Sequence, residues 1–163
     1  MIRCEFPDGA KATLRHVTTD VIGLRDEHVL LVRRADHLVE GGKWALPGGY
    51  MDRDESLVEC AVREFLEETG YACSAIRLFN VDSRPQRPGN ERQNVTGVFL
   101  ADVGAQVGEP DDESTDMRWF SLEEISRRDD IAFGHEQYTN AVARYLHAPF
   151  TLPLLDGAAL SDL

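Results

Sequence analysis

The sequence predicts an α/β sandwich with a mixed β-sheet. Three observations carry this. Strand-like and helix-like segments follow in the order strands, helix, strands, helices, which suits a sheet covered by helices. One segment, 56–69, carries a full set of helix boundary signals. Another, "NVTGVFLADV", is almost wholly apolar, the pattern of a central strand covered on both faces. The 163 residues suffice for a core without disulfides or structural metal, and predict one domain over 1–163.

The elements follow in order. Alternation at Ile2, Cys4 and Phe6, then "PDG" and "KATLRHV", predicts a hairpin. "TTDVIGL" and "HVLLVRR" predict two strands around the turn "RDE". "KWALPGGYMDRDE" predicts a loop, because Pro47, Gly48 and Gly49 break regular structure. Ser56 and Glu59 form a capping box that opens the helix, and Gly70 ends it. Leu57, Ala61, Phe65 and Leu66 are assigned to its apolar stripe. "ACSAIRLFNV" and "NVTGVFLADV" predict strands joined by "DSRPQRPGNERQ", a loop rich in Pro and Arg. "MRWF" predicts a short strand, and "SLEEISRR" a second helix capped by Ser121 and Glu124. "HEQYTNAVARYLH" predicts a last helix with Tyr138, Ala141, Val142, Tyr145 and Leu146 on one face. The apolar tail, 148–163, docks either on its own domain or on a second subunit to form a homodimer.

Composition excludes several classes. Apolar residues are 42% and charged residues 28%, so the chain is neither disordered nor fibrous. No apolar run approaches the ~20 residues of a membrane span. The opening "MIRCEFPDGAK" lacks the apolar region of a signal peptide. Cys4, Cys60 and Cys73 are odd in number and lack metal-ligand spacing, so three reduced thiols in a cytoplasmic protein are expected. The net charge is −12, and its location is informative. Segments 49–71 and 102–124 carry −5 and −7, while the rest of the chain balances. Two acidic segments converging on a divalent cation would explain this; two solvated faces are the plainer alternative. No basic stripe is present to bind duplex nucleic acid.

Within the helix, Glu64, Glu67 and Glu68 stand at i, i+3 and i+4. Their Cβ atoms are then roughly 5–6 Å apart, and the like charges repel. A hard divalent cation turns that repulsion into binding, since Mg²⁺ takes carboxylate and phosphate oxygens. The context sharpens this reading. From Gly49 the chain runs "GYMDRDESLVECAVREFLEETGY". This is similar to the Nudix box, G-x5-E-x7-R-E-U-x-E-E-x-G-U, with U a bulky aliphatic residue. Gly49, Glu55, Arg63, Glu64, Glu67, Glu68 and Gly70 fill all seven fixed positions of the box, 49–71. Chance agreement is on the order of one in ten million per start point. The U positions are Phe65 and Tyr71, both aromatic, and Tyr71 is the loose fit.

The chain therefore resembles the Nudix hydrolases. That resemblance implies an α/β/α sandwich that hydrolyses a nucleoside diphosphate linked to another moiety, with Mg²⁺ or Mn²⁺ as cofactor. It implies Glu64, Glu67 and Glu68 as catalytic metal ligands, with the backbone carbonyl of Gly48 as a further one. Gly49, Glu55, Arg63 and Gly70 would be structural, Arg63 pairing a carboxylate of the box. "ESTDMRW" resembles a later stretch in which a Glu six residues before a Trp reaches the metal site. Here that is Glu113, as metal ligand or general base, against the plainer reading of an acidic turn residue. Trp44 and Trp119 are read as packing residues, His135 as a capping or surface group, and Cys60 as a small buried side chain.

The substrate reading rests on the loop after the box. Arg84, Arg87 and Arg92 beside two prolines would make an anion clamp, since guanidinium binds phosphate bidentately. "RPQRPGNERQNVT", "IAFGHEQ" and "TTDVIGL" resemble stretches of ADP-ribose-hydrolysing Nudix proteins. A proline often found about sixteen residues past their box is replaced here by Arg87, between Pro85 and Pro88. The expected reaction is hydrolysis of ADP-ribose or a related nucleotide sugar to AMP and a sugar phosphate. A (deoxy)nucleoside triphosphate pyrophosphohydrolase is the alternative on the same fold, and a non-catalytic ADP-ribose-binding sensor the alternative of another class. An isoprenoid diphosphate isomerase lacks a nominated Cys and Glu pair, and a calcium buffer lacks its EF-hand pattern.

Overall fold

The structure, a computed structural model, describes residues 1–86 and 93–159. Strands β1 (Ile2–Glu5) and β2 (Lys11–Leu14) form a separate antiparallel hairpin. The main sheet contains β3 (Val17–Arg25), β4 (His28–Arg34), β5 (Trp44–Ala45), β6 (Tyr71–Asp82) and β7 (Val95–Gln106). It is completed by β8 (Ser114–Ser121), β9 (Leu154–Leu155) and β10 (Ala158–Ala159). Its order is β10-β9-β6-β7-β3-β4-β5, with β8 along the other edge of β4. Pairing is mixed: β3 with β7 and β6 with β9 are parallel, the rest antiparallel. β7 is central, as its apolar run predicts, and Thr96–Ala101 are buried.

Helices cover both faces, giving the α/β/α sandwich. On one face α1 (Leu57–Thr69) packs Ala61 and Phe65 against Val21, Leu30, Phe99 and Ala101. On the other, α2 (Leu122–Ser126) and α3 (Glu136–His147) pack Ile125, Tyr138, Ala141 and Val142 against Ile22, Val29, Val98 and Leu100. Both expected capping boxes form, at Ser56 with Glu59 and at Ser121 with Glu124. Gly70 ends α1 in the left-handed conformation, φ 70°.

Several expectations need correction. Leu66 is 39% exposed. It lies nine residues from Leu57, and at about 100° per residue that is the opposite side of the helix. Leu146 is also exposed, since in the last turn of α3 Tyr145 instead covers Phe79 and Phe150. The expected loop at 43–55 contains β5, which pairs with β4. "MRWF" grows into the eight residues of β8, because β4 offers it a full-length partner. The tail docks on its own chain. Leu154 is 3% exposed, and β9 extends the sheet beside β6.

Candidate active site

The box loop is built into the sheet. β3 pairs with β4 only at Leu24–Val29 and Arg25–His28. The remaining edge of β3 is taken by residues 47–51: the Val21 amide donates to Pro47 O (2.8 Å), Thr19 to Gly49 O (2.9 Å), and Met51 to Val17 O (3.1 Å). At Gly48 only glycine permits this approach, because the neighbouring atoms are backbone, whereas at Gly49 a side chain would push the Glu64 carboxylate aside. A Cβ on Gly48 would stand 2.0 Å from Thr19 O, and one on Gly49 2.5 Å from the Glu64 carboxylate.

Arg63 ties the loop to α1. Its Nε and Nη2 donate to Glu55 at 3.1 and 2.7 Å, and Nη2 also to Tyr50 O at 3.1 Å. Its Nη1 reaches Glu64 at 2.8 Å and Glu67 at 3.0 Å. The guanidinium holds the Glu55 carboxyl well down, to about 2, with help from the Asp52 amide. Cys60 is fully buried against Thr19, and burial pushes its thiol up to about 11, so it is no nucleophile.

Glu64, Glu67 and Glu68 do not share one solvated face. Glu68 is 4% exposed and accepts from the Gly48 amide at 3.1 Å. Burial pushes its carboxyl up to about 8; the Gly48 hydrogen bond opposes this, and Glu64 and Asp111 add to it. Glu64 is raised mainly by burial, against the pull of Arg63, with Glu67 and Glu113 also raising it. Glu113 thus lies within electrostatic reach of the cluster, its carbonyl accepting from the Ala35 amide at 2.9 Å. Asp111 joins them, its amide donating to Glu67 O at 2.9 Å and its carboxylate receiving the Glu113 amide at 3.0 Å. The two acidic segments therefore meet.

The donor set suits a hard cation. Five carboxylates share this corner with Arg63 and, more distantly, Arg34. A desolvated carboxylate with one amide partner is stabilised by a cation alongside it. Among the described residues no group of three acidic, histidine or cysteine side chains converges on one metal-sized point in this conformation, where Arg63 spans Glu64 and Glu67.

The other expected residues lie elsewhere. Arg84 is bound by Asp82, at 2.6 Å to Oδ2 and 3.1 Å to Oδ1, and by Gln137 at 3.3 Å. Asp82 lies in a row of paired residues, Tyr50, Thr18, Thr96 and Asp82, which puts it three strands from Tyr50, about 14 Å. Arg87 and Arg92 lie outside the described residues. His135 is not a surface or capping group. It is 3% exposed; its Nδ1 accepts from the Leu46 amide at 3.0 Å, and its Nε2 faces Asp20 at 3.4 Å. Sequence reasoning missed its role, and that of Asp111, because both depend on contacts distant in sequence. Trp44 is buried edge-on against Phe120, and Trp119, half-buried, packs edge-on against Tyr71 beneath Arg25.

A family model, the NUDIX domain, matches residues 14–142. The chain belongs to the Nudix family. An ADP-ribose pyrophosphatase of Methanocaldococcus jannaschii is 32% identical over 130 residues, covering 79% of this chain and 73% of that protein. An NAD-capped RNA hydrolase NudC of Vibrio cholerae is 29% identical over 102 residues, 62% of this chain but only 35% of that one. A crystal structure of a Nudix hydrolase from Nitrosomonas europaea superposes with TM-score 0.73 at 30% identity, over 94% of this chain and 85% of that one. Nudix membership gives the reaction class, hydrolysis of a phosphoanhydride. Among the described residues no helix is long and apolar enough to cross a membrane.

Proposed function

We propose that the chain hydrolyses ADP-ribose or a related nucleotide sugar to AMP and a sugar phosphate, with Mg²⁺ or Mn²⁺. The observation that carries this is the corner of carboxylates around the Gly48–Gly49 loop, with Glu68 buried, Glu64 half-buried and Glu67 and Glu113 exposed beside them. Glu64, Glu67 and Glu68, with the Gly48 carbonyl and Glu113, would hold the metal. When bound, the metal neutralises the pyrophosphate and lowers the pKa of water. The chain's residues do the rest. Arg63 positions Glu64 and Glu67 and fixes the loop, and the Gly48 amide orients Glu68. Glu113, whose charge is felt at Glu64, would serve either as a further ligand or to take a proton from water. Water adds to one phosphorus, the bridging P–O bond breaks, and the proton leaves with solvent. The similarity to the archaeal ADP-ribose pyrophosphatase supports the choice of substrate.

A substrate panel tests this. ADP-ribose should be cleaved to AMP and ribose 5-phosphate with kcat/KM above that for nucleoside triphosphates. Faster release of pyrophosphate from triphosphates would overturn the substrate. Tight ADP-ribose binding without turnover would overturn catalysis in favour of a sensor.

A further inference from the structure

The box loop has an anchor outside the carboxylate cluster. β5 pairs with β4 along one edge, and on its other edge the Trp44 amide donates to Asp130 O at 2.9 Å. The next amide pointing that way belongs to Leu46. The backbone beside it has turned away, since Ala132–Gly134 form a 3₁₀ turn in which Phe133 adopts φ 56°. His135 supplies the acceptor instead, its Nδ1 taking the Leu46 amide at 3.0 Å. A backbone amide can only donate, so Nδ1 bears no proton and the ring hydrogen sits on Nε2. Nε2 faces Asp20 Oδ2 at 3.4 Å. The ring is enclosed, 3% exposed, with the Phe133 and Tyr138 rings 5.5 and 5.7 Å away.

The Leu46 amide is the last before Pro47, which has none, and the next is that of Gly48, which donates to Glu68 Oε2 at 3.1 Å. The two amides flanking Pro47 therefore both end on buried side chains, His135 from the α3 face and Glu68 from the α1 face. Asp20 meets the same segment from β3. The amides of its neighbours Thr19 and Val21 donate to Gly49 O and Pro47 O, and a Cβ on Gly48 would stand 2.8 Å from Asp20 Cα. We propose that Asp20 and His135 are positioning residues for the hydrolysis. Asp20 keeps the ring hydrogen on Nε2, Nδ1 fixes the Leu46 amide, and the Pro47–Gly48 peptide is thereby held where its amide meets Glu68. Neither residue touches the reacting atoms; both act through Gly48 and Glu68, and their assignment rests on the reading of that pair as metal ligands.

Long-range ¹H–¹⁵N spectra of the full chain in EDTA should show His135 with a bare Nδ1 and a protonated Nε2. His135→Asn places an amide oxygen where Nδ1 stands and keeps the acceptor for Leu46, whereas His135→Gln reaches the Nε2 position and loses it. In EDTA the Gly48 amide resonance should move in His135→Gln and stay close to wild type in His135→Asn. Mn²⁺ titrated into each folded protein, with the free ion read by electron paramagnetic resonance, should bind about ten- to a hundredfold more weakly to His135→Gln, and within about threefold of wild type to His135→Asn. At saturating Mn²⁺, kcat should fall in the same order with KM nearly unchanged, because neither residue meets the substrate. Leu154→Ala, on a strand three places from β3 in the sheet, controls for lost stability and should bind Mn²⁺ as wild type does. If His135→Gln fails to fold, Asp20→Ala, which removes the partner of Nε2, decides by the same shift and titration. A proton on Nδ1, equal behaviour of His135→Gln and His135→Asn, or equal weakening in Leu154→Ala overturns the proposal. Wild type that binds no Mn²⁺ overturns the metal reading of the site instead, and the Gly48 amide in the His135 variants then decides this proposal.

Discussion

Glu68 stands where packing alone would place an apolar residue. It follows Leu57 by eleven positions, which returns it to the same meridian of α1 within about 20°. Its burial is therefore legible in the spacing, although a Glu triplet reads more readily as a solvated face. Replacing it should separate stability from function. Glu68→Gln and Glu67→Gln should each lower kcat by about a hundredfold or more, with folded protein retained. The raised carboxyl also sets a pH dependence. Metal-free folded protein keeps on Glu68 a proton that the unfolded chain releases near 4.5. Stability from this group is full below that pH, falls as pH rises, and is gone above about 8. Thermal melts in EDTA across this range should show the fall in wild type and a flatter profile in Glu68→Gln. Equal slopes would remove Glu68 as the cause. Arg63→Ala should lower both activity and melting temperature, because one guanidinium joins Glu55, Tyr50, Glu64 and Glu67. Glu113→Gln should lower activity alone; a fully active variant would leave it an acidic turn residue.

Among elements, α1 and the central strands could be read from local sequence, since caps and apolar runs are local signals. β5, β9 and β10 could not. Each spans two residues; β5 and β9 form because the longer β4 and β6 offer them partners, and β10 only folds back on β9. The tail's apolar composition was visible, but its destination was set by β6, some seventy residues away in sequence. Its contribution can be measured. Leu154→Ala should cost about 2–5 kcal/mol by leaving a cavity, read by denaturant unfolding. A loss below about 0.5 kcal/mol would make the tail a surface strap. The box loop is the opposite case: its residues are plain in the sequence, while its seat against β3 is not. Gly48→Ala should cost about 1–3 kcal/mol through overpacking against Thr19 O, and most of the activity as Glu68 loses its amide partner. Wild-type turnover in Gly48→Ala would show that the loop tolerates displacement.

At the scale of the whole molecule, folding brings together the two segments that hold the net charge of −12. Segments 49–71 and 102–124 carry the excess, and folding brings Asp111 and Glu113 up to the Glu64–Glu68 cluster. Divalent cations should accordingly raise the melting temperature. Saturation at a hundred times Kd corresponds to about 2.7 kcal/mol. NaCl at the same ionic strength should give much less, and equal effects would reduce the response to general screening. The pairing of residues 47–51 along β3 has a consequence of a different kind. A loop held by sheet hydrogen bonds cannot breathe independently of the strand beside it. The amides of Thr19, Val21 and Met51, which bridge loop and strand, should therefore exchange with deuterium as slowly as the sheet interior, on the clock of strand opening. The glycine-rich segment would then behave, in time, as part of the protein's most persistent framework.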